Sequence, residues 1–119
     1  MTKKTVYENV ELPLLLSGIR MKDHMRRISN VLSLMGLANL HKMYPHELSG
    51  GQCQKLCMAR AIVTNPKYLF ADEPTANLDP ESTNEIMRLL RIIQLQGITV
   101  VLATHTPEEV VGDNNIRKI

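Results

Sequence analysis

The sequence predicts an α/β fold with a parallel sheet, and two features of the chain after residue 50 indicate it. Segments with the apolar spacing of helices alternate with short apolar runs, in the order helix, strand, helix, strand, helix, strand. The runs Tyr68–Ala71 and Ile98–Ala103 lack the alternation of a half-exposed strand. We therefore expect both faces of these strands to be covered, as they are in a parallel sheet.

Composition narrows the classes of protein to consider. The 119 residues are 44% hydrophobic and 22% charged, and the formal net charge is +2. These values exclude a disordered or fibrous protein. The weak charge and the 3% aromatic content argue against a nucleic-acid partner. Cys53 and Cys57 are too few for a disulfide framework, and buried packing explains them better than a zinc site does.

Two segments precede the glycine pair Gly50-Gly51. Pro13 argues against one continuous helix in the stretch Thr5–Gly18. A helix is predicted over Met21–Met35, with Gly36 at its C-cap. The apolar residues at helical spacing in that second segment are Met25, Ile28, Leu32 and Met35.

Three further elements are predicted after the glycine pair, besides the two strands. A helix runs from Gln52 to the break at Asn65-Pro66. Another begins at Asp79-Pro80, as N-cap and first helical residue, and stops at Gly97. Asn115–Ile119 is predicted to be a third strand.

The segment Leu48-Ser49-Gly50-Gly51-Gln52 lies where one of these helices begins. Ser49 can cap the helix or bind an anion through its hydroxyl group. The first-turn N–H groups and the positive end of the helix dipole face the same point. Two interpretations therefore stay open, namely an anion cradle and a serine-capped helix after a glycine turn.

An acidic pair, Asp72-Glu73, follows the strand Tyr68–Ala71. In open α/β sheets, ligands bind at the carboxyl ends of the strands. One carboxylate can hold Mg²⁺ while its neighbour orients and deprotonates an attacking water. Adjacent strand residues point to opposite sides, which would separate the two tasks. The alternative is a solvated acidic corner.

His105 follows the strand Ile98–Ala103. A histidine in a loop is usually solvated. Here, however, His105 and Asp72 end two parallel strands, so we expect them at the same edge of the sheet. The tetrapeptide Thr106–Glu109 then has the form of a capping box that opens a short helix.

Taken together, four motifs resemble, in order and spacing, the nucleotide-binding subunits of ATP-binding-cassette (ABC) transporters. They are Leu48–Gln52, Tyr68–Pro74, Ala76–Asp79 and Ala103–His105. The opening Thr5–Val10 with Leu12–Leu14 is similar to the lipoprotein-releasing, cell-division and macrolide-export branch. The resemblance covers the C-terminal half of the family. It implies part of the helical (signature) subdomain over residues 1–50 and a partial RecA-like core of the P-loop NTPase fold over residues 51–119.

The resemblance also implies a role for each motif. Leu48–Gln52 would be the signature motif, which contacts the γ-phosphate of an ATP held mainly by the opposite protomer. Asp72 would bind Mg²⁺, and Glu73 would be the general base. Ala76–Asp79 would be the D-loop at the dimer interface, and His105 would contact the γ-phosphate. The implied partners are a membrane-spanning permease subunit and a homologous ATPase subunit in a head-to-tail dimer, at the cytoplasmic face of the membrane.

A phosphate-binding loop of the form GxxxxGK[ST] does not occur in the sequence, because none of the six glycines is followed by lysine. We therefore expect the isolated chain to be inactive, and ATP and Mg²⁺ to bind only with a partner that carries this loop. The strand Tyr68–Ala71 should then have an unpaired apolar edge. The alternative is a non-enzymatic fragment that supplies the signature motif to a partner ATPase or binds a membrane subunit. A chromosome-maintenance ATPase is disfavoured, because long heptad segments are missing from the sequence.

Overall fold

The computed structural model describes residues 3–103 and the backbone of residues 117–118. By spatial proximity the chain divides into two compact units, residues 1–65 and residues 66–119. The sequence places the boundary between helical subdomain and ATPase core at residue 50 instead. That functional boundary stays a prediction, because spatial proximity groups the segment after residue 50 with the helices before it.

The first unit consists of helices that pack on one another. They are α1 (Val6–Ser17), α2 (Met21–Leu34) and α3 (Gly50–Ile62), with short 3-10 turns at Ala38–Leu40 and Pro45–Glu47 between α2 and α3. Each of the three helices contacts the other two. Their fully buried apolar side chains form the core of this unit.

Helix α1 begins with a capping box. The Thr5 Oγ1 atom accepts a hydrogen bond from the Glu8 N–H at 3.2 Å, and the Thr5 N–H donates to Glu8 Oε1 at 2.9 Å. The bond from the Thr5 backbone lowers the pKa of Glu8, because it favours the charged carboxylate. The helix ends at Gly18, whose φ of +78° is left-handed.

The prediction that Pro13 interrupts this segment is wrong, because α1 continues through Pro13 without a break. The physical reason is tertiary packing. One face of α1 is completely buried along its length, and that face is formed by Val6, Val10 and Leu14. Burial of three such side chains stabilises the helix by about 1.5–3 kcal/mol each, which exceeds the roughly 3 kcal/mol cost of an internal proline.

Helix α2 confirms the helix predicted over Met21–Met35, and Gly36 adopts the expected left-handed conformation with φ +71°. Ile28, Leu32 and Met35 are buried, as their spacing predicted. Met25 is not, because 69% of it is exposed. The buried position next to it is taken by His24.

The second unit is built on a parallel sheet, which confirms the predicted fold class. Its strands are β1 (Tyr68–Asp72), β2 (Thr99–Ala103) and β3 (Arg117–Lys118), in the spatial order β1-β2-β3, and α4 (Pro80–Leu95) connects β1 to β2. The register aligns Tyr68 with Thr99 and Asp72 with Ala103. Among the described residues, no helix of either unit is long and apolar enough to cross a membrane.

The two faces of β1 differ. Leu69 is buried, as are Val100 and Leu102 on β2, against which α4 packs. Tyr68 and Phe70 are 57% and 72% exposed, with their ring centroids 6.3 Å apart. The expectation that both faces of β1 are covered is therefore wrong for the described residues. The expected unpaired edge is present there, because β1 pairs with β2 alone.

Candidate functional site

The signature segment forms the start of α3. Ser49 is the N-cap, and its Oγ atom accepts a hydrogen bond from the Gln52 N–H at 3.1 Å. In return, Gln52 Oε1 accepts from the Ser49 N–H at 2.9 Å. The two residues thus complete a reciprocal capping box, and the serine-capped helix is the arrangement adopted by this chain.

The capping box still allows Ser49 and the first turn of α3 to bind an anion. A hydroxyl that accepts one hydrogen bond still has its own hydrogen to donate, and Ser49 is exposed. The intrahelical bonds begin with the Cys53 N–H, which donates to the Ser49 carbonyl at 2.9 Å. The N–H groups of Gly50 and Gly51 precede it and lie at the positive end of the helix dipole. The two interpretations of the sequence are therefore compatible.

The segment that leads into the signature is held by a second capping arrangement. The Tyr44 N–H donates to Glu47 Oε1 at 2.9 Å, and Pro45 between them is buried. The Cys53 thiol donates to the Pro45 carbonyl at 3.5 Å, which ties α3 back to this turn. Cys53 is half-buried and Cys57 is exposed, so the prediction of buried packing is wrong for Cys57.

The acidic pair lies at the carboxyl end of β1, as the sequence predicted. Asp72 is the last residue of the strand and is exposed. The Glu73 N–H donates to the Ala103 carbonyl at 2.7 Å, so the backbone bond to β2 extends one residue beyond the strand. Glu73 itself has a left-handed φ of +46°. The strand alternation used to separate the two carboxylates therefore does not reach Glu73, and the turn sets its direction instead.

The loop after the acidic pair turns the chain into α4. The Ala76 N–H donates to the Glu73 carbonyl at 3.1 Å, and Asn77 adopts a left-handed φ of +63°. Asp79 is the N-cap of α4 and Pro80 is its first residue, as predicted. The nearby Ser82 hydroxyl lowers the pKa of Asp79 by hydrogen bonding to its charged form.

His105, which the resemblance implies to contact the γ-phosphate, lies outside the described residues, as does the predicted helix at Thr106–Glu109. The strand that leads to His105 is described. Its last residue, Ala103, is the register partner of Asp72. The carboxyl ends of β1 and β2 are thus neighbours, and the position of the histidine side chain stays a prediction.

The side chains at this edge include possible ligands for Mg²⁺. Carboxylate oxygens suit this hard cation, and Asp72 is exposed where a ligand could reach it. Within the described ranges, however, no three His, Cys, Asp or Glu side chains come together to hold a metal. The residues therefore fit Mg²⁺ only in the mode in which one or two carboxylates act together with water and nucleotide phosphates.

Three local features of the site were missed by the sequence reasoning. The capping partner Gln52 could have been found, because Ser-x-x-Gln is the pattern of a capping box. The left-handed Asn77 also had a signal, since asparagine is enriched in that conformation. Glu73 had none, because glutamate has no such preference and its conformation depends on the bond to β2.

A parallel sheet with an acidic carboxyl edge, preceded by a capped glycine-containing helix, is an α/β arrangement that this chain shares with the ATP-binding cassettes of ABC transporters. Solved structures support this assignment. An ATP-binding cassette of an ABC transporter, MJ1267, superposes with a TM-score of 0.80 at 26% identity, over 97% of this chain and 50% of that one. CbiO1 from Clostridium perfringens, part of the ABC transporter complex CbiONQ, gives a TM-score of 0.79 at 36% identity over 87% and 41% of the two chains.

The sequence comparisons agree. The family model of the ABC transporter matches residues 1–76. The cell division ATP-binding protein FtsE of Streptococcus pneumoniae D39 is 50% identical over 106 residues, which are 89% of this chain and 46% of FtsE. The methionine import ATP-binding protein MetN 1 of Acinetobacter baylyi is 51% identical over 106 residues, 88% of this chain and 30% of MetN 1. The chain belongs to the ABC transporter ATP-binding family, and it spans less than half the length of these two relatives.

Proposed function

We propose that the chain forms the signature motif and the Walker B strand (Tyr68–Asp72) of an ABC transporter ATP-binding subunit, in which ATP hydrolysis is coupled to transport across a membrane. The observation that carries the proposal is the placement of Asp72 and Glu73 beside the end of β2. The matched family region, residues 1–76, includes this acidic pair as well as Ser49.

In this proposal the residues of one chain act at two ATP molecules of a head-to-tail dimer. Asp72 would hold Mg²⁺ together with the nucleotide, and the ion would neutralise charge on the phosphates. Glu73 accepts the proton of the attacking water. Ser49 and Gly51 donate hydrogen bonds to the γ-phosphate of the ATP that is held mainly by the second ATPase subunit. His105 contacts the γ-phosphate of the ATP at Asp72 and Glu73, and the D-loop Ala76–Asp79 lies at the interface between the two subunits.

The phosphate-binding loop has to come from another polypeptide segment. Most ground-state affinity for ATP in P-loop ATPases comes from the backbone N–H groups and the lysine of the phosphate loop. The 119 residues contain no GxxxxGK[ST]. Within the part of the chain that the structure describes, β1 has an open edge and an uncovered face. Both support association with such a segment, because an exposed apolar strand edge is a template for further pairing.

The remaining partners follow from the family. FtsE and MetN 1 are named as ATP-binding proteins of cell division and of methionine import. We infer that this chain likewise acts with a membrane-spanning permease subunit and, head to tail, with a homologous ATPase subunit. Its place is then at the cytoplasmic face of the membrane.

The proposal is tested by mixing the chain with the part of Streptococcus pneumoniae FtsE that it does not match. The chain alone should show background binding of a fluorescent ATP analogue and background phosphate release. The stable mixture should bind the analogue with Mg²⁺ and release phosphate. Glu73→Gln should keep binding but lower phosphate release by about 100-fold or more, since a general base contributes that much. Glu81→Gln, in the first turn of α4, is the matched control and should change neither.

Two outcomes would contradict the proposal. Phosphate release by the isolated chain that disappears with Glu73→Gln would show that no further segment is needed. A stable complex that binds no nucleotide would exclude the complementary arrangement. A third outcome would favour the non-enzymatic alternative, in which the chain contributes its signature motif alone. In that case Ser49→Ala would weaken nucleotide binding by the complex, but Glu73→Gln would leave phosphate release unchanged.

A further inference from the structure

The turn that joins α1 to α2 exposes apolar side chains from both helices. Leu15 and Leu16 lie in the last turn of α1, and Met21 and Met25 lie in the first two turns of α2. All four are exposed, Leu16 by 81% and Met21 by 68%. A single exposed apolar residue is ordinary, but several at one end of a helical hairpin indicate an interaction surface. We call residues 15–26 the hairpin tip.

The hairpin tip is also basic. It contains the three cations Arg20, Lys22 and Arg26 and one carboxylate, that of Asp23. Its formal charge is therefore +2 with the histidine neutral, which equals the formal net charge of the whole 119-residue chain. Arg20 and Arg26 share Asp23 at 3.6 Å and 3.3 Å, and their side chains stay 72% and 67% exposed. Lys22 is exposed as well, so the tip presents excess positive charge beside its apolar side chains.

The turn beneath these side chains is held by hydrogen bonds and buried residues. The Ser17 hydroxyl donates to the Leu14 carbonyl at 3.0 Å, and the His24 Nε2 atom lies 2.8 Å from the Ile19 carbonyl oxygen. Leu14, His24 and Ile28 are buried. Because these inner positions are filled, the exposed side chains belong to a preformed surface, which lowers the entropy cost of binding.

The shape of the hairpin tip favours a fluid surface over a groove in another protein. Successive residues of an α-helix are separated by about 100° around its axis. Leu15 and Leu16 are consecutive and both are exposed, so the end of α1 is apolar on more than one side. A helix that docks in a groove shows one apolar stripe instead, at spacings of three and four residues. A bilayer accepts apolar side chains in any direction, and anionic headgroups attract arginine and lysine.

We propose that the hairpin tip binds the surface of a bilayer that contains anionic phospholipids. Leu16 and Met21 enter the boundary between headgroups and acyl chains, and the three cations lie against the headgroups. The inference goes beyond the proposed function, which brings the chain to a membrane through a permease subunit. Contact with lipid needs neither that subunit nor nucleotide, so a failure of either proposal leaves the other standing.

Flotation of the 119-residue chain with lipid vesicles in a density gradient tests the proposal, because self-associated protein does not float. The chain should bind vesicles of phosphatidylglycerol and phosphatidylcholine. Its affinity for vesicles of phosphatidylcholine alone should be lower by about tenfold or more, because the cations then lose their counter-charge. Binding to the anionic vesicles should also weaken as salt is added.

Variants of the exposed residues locate the contact without disturbing the core. Lys22→Gln should weaken binding to the anionic vesicles by about fivefold, the effect of one cation near such a surface. Leu16→Gln with Met21→Gln should weaken it by about tenfold or more. Lys42→Gln and Leu95→Gln are the matched controls, because they change an exposed lysine and an exposed leucine outside the hairpin tip. Both should bind like the wild type.

A second measurement uses the absence of tryptophan from the sequence. In Leu16→Trp, the fluorescence emission should shift to shorter wavelength when anionic vesicles are added, because the indole leaves water for the membrane interface. In Leu95→Trp, the emission should stay unchanged.

Three results would overturn the proposal. Absence of binding to anionic vesicles would exclude the lipid contact and favour an acidic protein surface as the partner of the hairpin tip. Equal affinity for the two kinds of vesicle would exclude the role of the cations. Binding that persists in Leu16→Gln with Met21→Gln, but disappears in Tyr68→Thr with Phe70→Thr, would assign the lipid contact to β1 instead.

Discussion

Glu73 combines a backbone conformation that glutamate seldom adopts with a carboxylate at the carboxyl edge of the sheet. Its φ of +46° lies in the left-handed region. The conformation is held by the 2.7 Å bond from its N–H to the Ala103 carbonyl and by the 3.1 Å bond that its own carbonyl accepts from Ala76. A left-handed residue with a Cβ costs roughly 1–2 kcal/mol. Strain of this kind is found where the position of a side chain matters for function.

The strain at residue 73 can be measured with two variants that both remove the carboxylate. Glu73→Gly should be more stable than Glu73→Ala by about 1 kcal/mol in urea unfolding, because glycine adopts a positive φ without steric cost. Since both variants lose the same side-chain contacts, the difference reports the backbone alone. Equal stabilities, or a more stable alanine variant, would show that the turn is not strained.

Helix α1 illustrates how tertiary packing overrides a local signal. Pro13 lies inside it, although an internal proline lacks the N–H that the helix needs. Local signals at the two ends, the Thr5–Glu8 capping box and the left-handed Gly18, define where the helix begins and ends. The buried face keeps the helix continuous, because its packing against α2 and α3 offsets the unfavourable free energy of Pro13 inside the helix.

The two prolines in helices offer a matched pair of substitutions. Pro13→Ala should raise the free energy of unfolding by about 1 kcal/mol or more, because it restores a helix hydrogen bond. Pro80→Ala should leave it unchanged or lower it by up to about 1 kcal/mol. The first residue of a helix needs no such bond, and proline there restricts the unfolded chain. Chemical denaturation of both variants measures the two effects, and a gain at Pro80 equal to that at Pro13 would contradict the explanation.

At the scale of the whole molecule, the sheet is covered on one face by α4 and carries exposed aromatic rings on the other. Tyr68 and Phe70 stack on each other on β1, which has an open edge among residues 3–103 and 117–118. Apolar side chains next to an unpaired strand edge favour association with another chain. The same surface that supports a complementary segment in the proposed function is therefore the place where the isolated chain should associate with itself.

Replacing both rings should separate folding from association. The double variant Tyr68→Thr with Phe70→Thr should weaken self-association by about tenfold or more in sedimentation velocity, because two large apolar groups leave the contact surface. Threonine keeps the preference for strand, so the monomer should remain folded. Leu95→Gln, an exposed apolar residue at the end of α4, should have little effect. Unchanged association in the double variant would exclude the β1 face as the contact surface.

Several signals that depend on neighbours in sequence predicted the local structure correctly. The N-cap Asp79 and the C-cap Gly36 were predicted, and the N-cap Ser49 was one of the two interpretations of its segment. Each depends on hydrogen bonds or backbone freedom within a few residues. The parallel sheet was also predictable, since a helix between two apolar runs requires a crossover connection. The acidic pair was predicted correctly at the carboxyl end of β1, because it directly follows the apolar run Tyr68–Ala71.

The sequence by itself determined the family, the order of elements and the positions of the signature and acidic motifs, because these are written in local spacing. Tertiary structure decided the continuity of α1 through Pro13, the burial of His24 against Glu11 and the left-handed turn at Glu73. It also decided the exposure of Tyr68 and Phe70. Each of these depends on groups distant in sequence, whose packing or hydrogen bonding outweighs the local preference of the residue.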